Sequence, residues 1–460
     1  MTATEYDLLV RGALSPGGEL VDIAIAGGRL AQIGAALDPA TARECIDALG
    51  LHLLPGGIDP HVHFNEPGPR TSWEGWATGS QALAAGGVTT TLEMPLNATP
   101  PTTDVDAFDA KLAAARAQSR VDFGLWGGIV PGNLDQIEPL ADRGVIGFKA
   151  FMSDTGVEDF TAVDDLTLYE AMVAVAGLAA PLPVAVHAES NTITRRLARR
   201  ALAAGQTATR DYLNSRPALA ETEAIKLAIE LATETGCPLH IVHVSTGRGA
   251  ALVAEARARQ VDVTCEVTAH HLVLTEEDAE RLGALAKCAP PLRSRGETDV
   301  LWRALADAEI AFVVSDHSPS PPELRAGDAF SAWGGIAGCQ STLELLLTEG
   351  YGRSRLSLEQ IAHCFAYAAG RRYRLEGKGL LQVGADADLA LVRLGESRDL
   401  DAGELRYRHP LSPYVGRSLD ARVVTTILRG QPIYADRQIV GEPGGRLVTP
   451  TPLPAQNPSR

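Results

Sequence analysis

Eight short apolar runs, separated by longer stretches with helical spacing, constrain this chain more than any other feature. The runs are "HLLPGGIDPHVHF", "GGVTTTLEMP", "VDFGLWGGIV", "GVIGFKAFMS", "PVAVHAE", "PLHIVHVS", "VDVTCEVTAHHLVL" and "IAFVVSDHSP". Between them lie "WEGWATGSQALAA", "VDAFDAKLAAARAQ", "LTLYEAMVAVAGLA" and "ETEAIKLAIELATETG". Parallel strands need a long crossover, usually a helix, so strand–helix alternation implies a parallel sheet. Eight repeats predict an α/β fold, a (β/α)8 TIM-like barrel, with a doubly wound open sheet as the alternative.

The flanks read differently. Residues 1–53 and 381–445 contain "YDLLVRGALSPGG", "ELVDIAIAGGRLAQIG", "GADADLALVRLG" and "RVVTTILRGQPIYADRQIV". Alternating apolar residues punctuated by Gly, Asn or Asp predict antiparallel hairpins. The two blocks are expected to pair into one small β-sandwich, leaving residues 54–380 to the barrel. A length of 460 residues holds both. The Pro-rich, polar segment 446–460 is expected to be a mobile tail or to lie draped over the surface.

In such a barrel the carboxyl-terminal strand ends open on one face, where active sites are built. His61 and His63 end the first run; alternate residues of a strand share a face, so both imidazoles project together. Lys149 belongs to the end of the fourth run, His187 to the fifth, His243 to the sixth and Asp316 to the eighth. Each has an ordinary reading: a strand-end histidine serves as a hydrogen-bonded core residue, and an aspartate in "SDHSP" as a helix cap. Joint placement on five strand ends favours a metal centre. His270 and His271 in "AHHL" are given a supporting role, while His240 and His317 fall out of phase with the ligating set.

Lys149 is flanked by apolar residues in "GVIGFKAFM". A buried ammonium is costly unless its pKa falls. Three readings are open: a lysine reaching out to solvent, a Schiff-base nucleophile, or a modified lysine. An ammonium would repel cations beside four histidines, whereas the carbamate formed with CO2 is anionic and offers two oxygens to two cations. Two-metal sites of that kind clamp attacking and leaving groups in hydrolysis.

A net charge of −16 argues against a nucleic-acid or anionic-membrane partner. No run reaches the ~18 apolar residues of a membrane span, and "MTATEYDLLVRG" lacks a signal-peptide pattern. The six scattered cysteines form no C-x-x-C pair. Cytoplasmic residence with reduced thiols is the expectation.

These residues resemble the cyclic amidohydrolase family, which embraces dihydroorotases, dihydropyrimidinases and hydantoinases, and allantoinases. The similarity runs from "YDLLVRGA" to "GQPIYADR". It implies the barrel with a small β-sandwich and two divalent metal ions, zinc foremost, with manganese, cobalt or iron as alternatives. Their ligands would be His61, His63, His187, His243, Asp316 and Lys149 modified to N6-carboxylysine. Within the family, "HVHFNEPG", "EMPLNATPP", "KCAPPLR" and "AWGGIAG" resemble the allantoinase branch. Where dihydroorotases hold a substrate carboxylate with arginine and asparagine, this chain has Asn65 and Ala289, although Arg70 or Arg293 offer substitutes. The resemblance therefore implies a neutral small-molecule ureide, with hydantoinase chemistry as the nearest alternative.

The expected reaction is hydrolysis of the ring amide by a metal-bridging hydroxide, with Asp316 as the catalytic proton carrier. Asn65, Asn97, Cys288 and Gly335 are the candidate substrate contacts. A homotetramer is expected from the family likeness. Two other classes are weighed: an assembly protein, against which the complete ligand set speaks, and a Schiff-base lyase, in whose chemistry the four histidines have no purpose.

Overall fold

The computed structural model describes residues 5–452. Eight strands form the barrel: β1 Gly57–Val62, β2 Val88–Glu93, β3 Asp122–Leu125, β4 Phe148–Phe151, β5 Val184–His187, β6 Leu239–Ile241, β7 Val263–Thr268 and β8 Phe312–Val314. Each is parallel to its neighbour, and Gly127–Gly128 continues β3 to meet β4. The ring closes where Val62 bridges to His317 and the His63 N–H donates to the His317 carbonyl at 2.8 Å. Nearly every strand residue is buried, because helices cover the outer face while side chains fill the interior. That double burial makes the runs continuously apolar.

Helices occupy the crossovers. They are α1 Trp76–Ala85, α2 Val105–Gln118, α3 Ile137–Asp142, α4 Asp165–Ala176, α5 Asn191–Ala203, α6 Thr209–Ser215, α7 Ala218–Thr235, α8 Gly247–Ala258, α9 Ala269–Val273, α10 Glu276–Leu282 and α11 Arg295–Ala306. Side-chain caps start several: Asp104 accepts from the Ala107 N–H, Asp164 from Thr167 and Thr246 from Gly249. None of the helices among the described residues is long and apolar enough to cross a membrane.

The terminal blocks form one nine-stranded sheet with its own apolar core, including Leu8, Val10, Ile23, Leu53, Leu389 and Ile427. The seam is the antiparallel pair of His52–Pro55 with Leu389–Asp399. Not all of the pairing is antiparallel as the hairpin pattern predicted. Tyr6–Leu14 runs parallel to Ala42–Asp47, since two strands, Leu20–Ala26 and Arg29–Gly34, intervene in sequence and each reverses direction. The first run also divides, with His52–Pro55 joining the small sheet and only Gly57–Val62 entering the barrel. Residues 446–452 are draped rather than loose: Arg446 and Val448 hydrogen-bond to Phe123 of β3, and the Thr451 N–H donates to the Arg374 carbonyl. The remainder of the proposed tail lies outside the described residues.

Candidate metal centre

The carboxyl-terminal strand ends bring together residues up to 255 positions apart in the chain. His61 lies in β1 and His63 one residue beyond it; their Nε2 atoms stand 3.2 and 3.3 Å from the same Asp316 oxygen, Oδ1. Each ring is fixed from behind. His61 Nδ1 pairs with Glu266 Oε1 at 2.5 Å and His63 Nδ1 with the Leu96 carbonyl at 2.8 Å. Those partners hold the Nδ1 protons and leave the Nε2 lone pairs facing inward.

His187 closes β5 and His243 lies two residues past β6. His187 Nε2 donates to Glu189 Oε2 at 2.8 Å, which leaves Nδ1 facing His243 Nε2 at 3.1 Å. His243 and Asp316 both adopt positive φ, 37° and 45°, which turns their side chains off the strand direction and into the site. Lys149 occupies the second position of β4 rather than its end. Its Nζ is buried, has no hydrogen-bond partner among the described residues, and sits 4.1 Å from the centre of the Phe151 ring.

Electrostatics sort these groups. Burial pushes the Lys149 amine down to about 7, against the opposing pull of Glu266 and Asp316. Burial, with His187 next, holds His243 well below the ordinary imidazole range, and burial also lowers His63 and His187. Burial disfavours the Asp316 carboxylate, but the charges of His61 and His63 outweigh it and keep the group ionised far into acid. Glu266 and Glu189 follow the same logic: burial is overcome by His61 and His240 at one and by Arg216 and His187 at the other, and both come down to about 2. His61 goes the other way: burial disfavours its charge, but Asp316 and Glu266 outweigh it and raise the group. The site therefore presents neutral imidazoles at His63, His187 and His243 beside permanent carboxylates, and a cation at His61 would have to displace a proton held by those acids.

The donor set fits a pair of cations. It supplies inward-facing imidazole nitrogens, one carboxylate, an unpartnered His243 Nδ1 and an unpartnered buried amine. One donor atom each from His61, His243 and Asp316 lies within 4.8 Å of the others. Nitrogen and oxygen donors of this mixture suit zinc, and equally manganese, cobalt or iron.

Two carboxylates went unread in the sequence. Glu266 accepts from His61, from His240 Nε2 at 3.0 Å and from the His243 N–H at 3.3 Å; Glu189 accepts from His187 and Arg216. Their signal was an acid inside an apolar strand, "TCEVT", and an acid two residues past a ligand, "HAE". His240 turns to Glu266 and Thr264, and His317 accepts from the Gly338 N–H, so neither joins the inward set.

A cleft of about 710 Å³ opens over this centre. Asn97, Cys288 and Gly335 line it, together with Phe151 and Trp333. Asn65 does not: it is fully buried at φ 64° and its Oδ1 accepts from Asn97 Nδ2 at 3.2 Å, so it supports Asn97 from behind. Gly335 has φ 131°, and a Cβ there would meet the Ser318 carbonyl oxygen at 2.3 Å. Only glycine permits that turn. The two candidate substitute arginines are committed elsewhere. Arg70 binds the Asn97 carbonyl and Asp159, and Arg293 binds Ser245, the Arg216 carbonyl and Glu221.

A model described as "Amidohydrolase family" matches residues 52–433. The chain is similar to the allantoinase of Rubrobacter xylanophilus, 58% identical over 448 residues covering 97% of this chain and 98% of that protein. It is similar to the allantoinase of Deinococcus radiodurans at 49% identity, covering 97% and 99%. Among solved structures it resembles the L-hydantoinase (dihydropyrimidinase) from Arthrobacter aurescens, with a TM-score of 0.93, 35% identity, and coverage of 96% and 100%.

Proposed function

The chain belongs to the amidohydrolase family, and on that premise we propose that it hydrolyses the cyclic amide of allantoin to give allantoate. The observation that carries the reading is the meeting of His61, His63, His187, His243 and Asp316 at the floor of one cleft, with the bare Lys149 buried behind Phe151 of its lining. Identity of 58% to an allantoinase, against 35% to the hydantoinase, supports the choice of ring. The absence of a free guanidinium fork at the Asn65 and Ala289 positions supports a neutral substrate over one bearing a carboxylate.

Two divalent cations, zinc first, would be held by the six residues, and when bound they supply an ionised water near neutral pH and a polarised carbonyl. The chain's own groups do the rest. Lys149, neutral once its proton is shed, attacks CO2; the new N–C bond and the loss of one proton give a carbamate whose two oxygens complete the ligand set. Asp316 keeps Oδ1 toward the His61–His63 pair, leaving Oδ2 to take a proton from the attacking water and deliver it to the departing ring nitrogen. Asn97 and the backbone at Cys288 and Gly335 pair with the amide edges of the ring. Burial of the histidines excludes water from the ligand side, so charge interactions there are strong.

A homo-oligomer is part of the reading. Leu166, Tyr169 and Val173 share one face of α4 at three- and four-residue spacing and are exposed, which supports a protein contact there.

The test is a hydrolysis panel of allantoin, hydantoin, dihydrouracil and dihydroorotate with metal analysis on the same sample. Allantoin should be the best substrate, with about two ions per chain. Asp316→Asn should lower kcat by about 10²–10⁴-fold. Turnover by metal-free protein would defeat the mechanism, and a preference for hydantoin would move the chain to the hydantoinase branch.

A further inference from the structure

A second group of metal-capable side chains lies beside the first and takes no part in it. His270 and His271 stand on α9, directly after β7, and Cys288 lies in the loop before α11; one donor atom from each falls within 4.8 Å of the other two. All three are at least 95% buried. His270 is the informative member: at 1% exposure, neither of its ring nitrogens has a hydrogen-bond partner among the described residues. A buried imidazole without partners is costly and rare, so this one calls for a ligand.

His271 is set up for the same task. Its Nε2 donates to the Pro290 carbonyl at 3.1 Å, which fixes the tautomer and leaves the lone pair on Nδ1. That lone pair accepts from the Thr268 hydroxyl at 2.7 Å, a bond that a cation would replace. A metal-ligating histidine usually donates its other ring N–H to a carbonyl or carboxylate, as His271 does to Pro290. Cys288 supplies a sulfur. Burial first, then the charge of Asp316, pushes its thiol well above the ordinary range, so the group stays neutral until a cation displaces the proton.

We propose that His270, His271 and Cys288 form a third cation site, separate from the binuclear centre and selective for a borderline or soft divalent ion such as zinc or cadmium. Two imidazoles and one thiolate leave a fourth position for water, and sulfur excludes calcium and magnesium. Binding exchanges the Cys288 S–H proton for an S–metal bond, with one proton released to solvent and no change of oxidation state. Because Cys288 lines the cleft, an ion here stands in its wall.

The donors of the two centres differ in a way that can be read directly. No sulfur belongs to the binuclear set, so thiolate-to-metal charge transfer reports the third site alone. Cadmium is titrated into the metal-loaded holoenzyme carrying Cys45→Ser, which removes the exposed thiol. The expected result is a further equivalent bound with a near-ultraviolet charge-transfer band, and Cys288→Ser should lose both while retaining the ions of the binuclear centre. His270→Gln, a second variant should Cys288→Ser fail to fold, should weaken that equivalent at least ~10-fold. No band through several equivalents, a band that persists in Cys288→Ser, or unweakened binding in His270→Gln would overturn the assignment.

Discussion

Lys149 and Lys378 are both buried, at opposite ends of the barrel, in opposite company. At the base, where β3 begins and the small sheet docks, Lys378 Nζ meets Asp122 at 2.5 Å, Asp388 at 2.8 Å and Asp386 at 3.0 Å. Burial works against its charge, but Asp388 and Asp122 outweigh it and hold the ammonium above the ordinary lysine range. A third buried lysine, Lys111, is likewise answered by Glu93 and by the Met94 carbonyl at 2.8 Å. Lys149 alone of the three has no partner, and its amine falls to about 7. A buried lysine kept for structure has its charge matched; one left bare beside imidazoles is held ready to lose its proton.

The contrast breaks most sharply at the mouth. Lys149→Ala should lose measurable turnover and hold well below the ~2 ions per chain of the parent, and acetate or propionate should restore part of the activity by supplying carboxylate oxygens. Reloading of stripped wild-type protein sharpens the same point. Only the neutral amine attacks CO2, and the depressed pKa makes it neutral above about 7. At fixed dissolved CO2, recovery should therefore rise as pH approaches 7 from below, about tenfold per unit, and level off above it. An ordinary lysine would keep rising to about pH 10, and full metal content in Lys149→Ala would remove the distinction between the two ends.

A smaller effect separates ligands from the groups that aim them. Glu266→Gln removes the charge behind His61 and His240 without touching an inward-facing atom. Metal affinity, measured by chelator competition, should fall about 10–100-fold while the circular dichroism of the fold is unchanged. An unchanged affinity would mean that packing alone orients His61.

Much of this was legible because the barrel strands are buried on both faces, so each of the eight runs stands out as continuous apolar sequence and contains a strand. The inward histidines were legible only together: each alone reads as an ordinary hydrogen-bonded core residue, and it was their joint placement with Lys149 and Asp316 on five apolar runs that set them apart. Glu266 was not, since an acid inside a strand does not say which partner answers it, and His61 lies 205 residues away. Asn65 misled because spacing along the chain does not reveal a positive φ, which turned it behind Asn97. The docking of residues 446–452 on β3 rests on backbone hydrogen bonds, which leave no mark on side-chain identity.

The base of the barrel supplies the counter-test, with the least effect on chemistry and the most on folding. Lys378→Met removes the one ammonium shared by Asp122, Asp386 and Asp388, leaving Asp122 to the Arg429 guanidinium, Asp388 to the Arg429 N–H at 2.8 Å and Asp386 to a 3.7 Å contact with Arg29. Breaking a buried ion pair from one side typically costs about 3–5 kcal/mol, because the remaining charges stay buried and unanswered. The denaturation midpoint should drop accordingly, while kcat stays within about twofold and metal content is unchanged. The carboxylates sit at the strand starts and the ligands at the strand ends, so the two effects reach each other only through the barrel wall. Loss of metal in Lys378→Met would show that the wall transmits strain from base to mouth, and the two lysines would then belong to one cooperative unit.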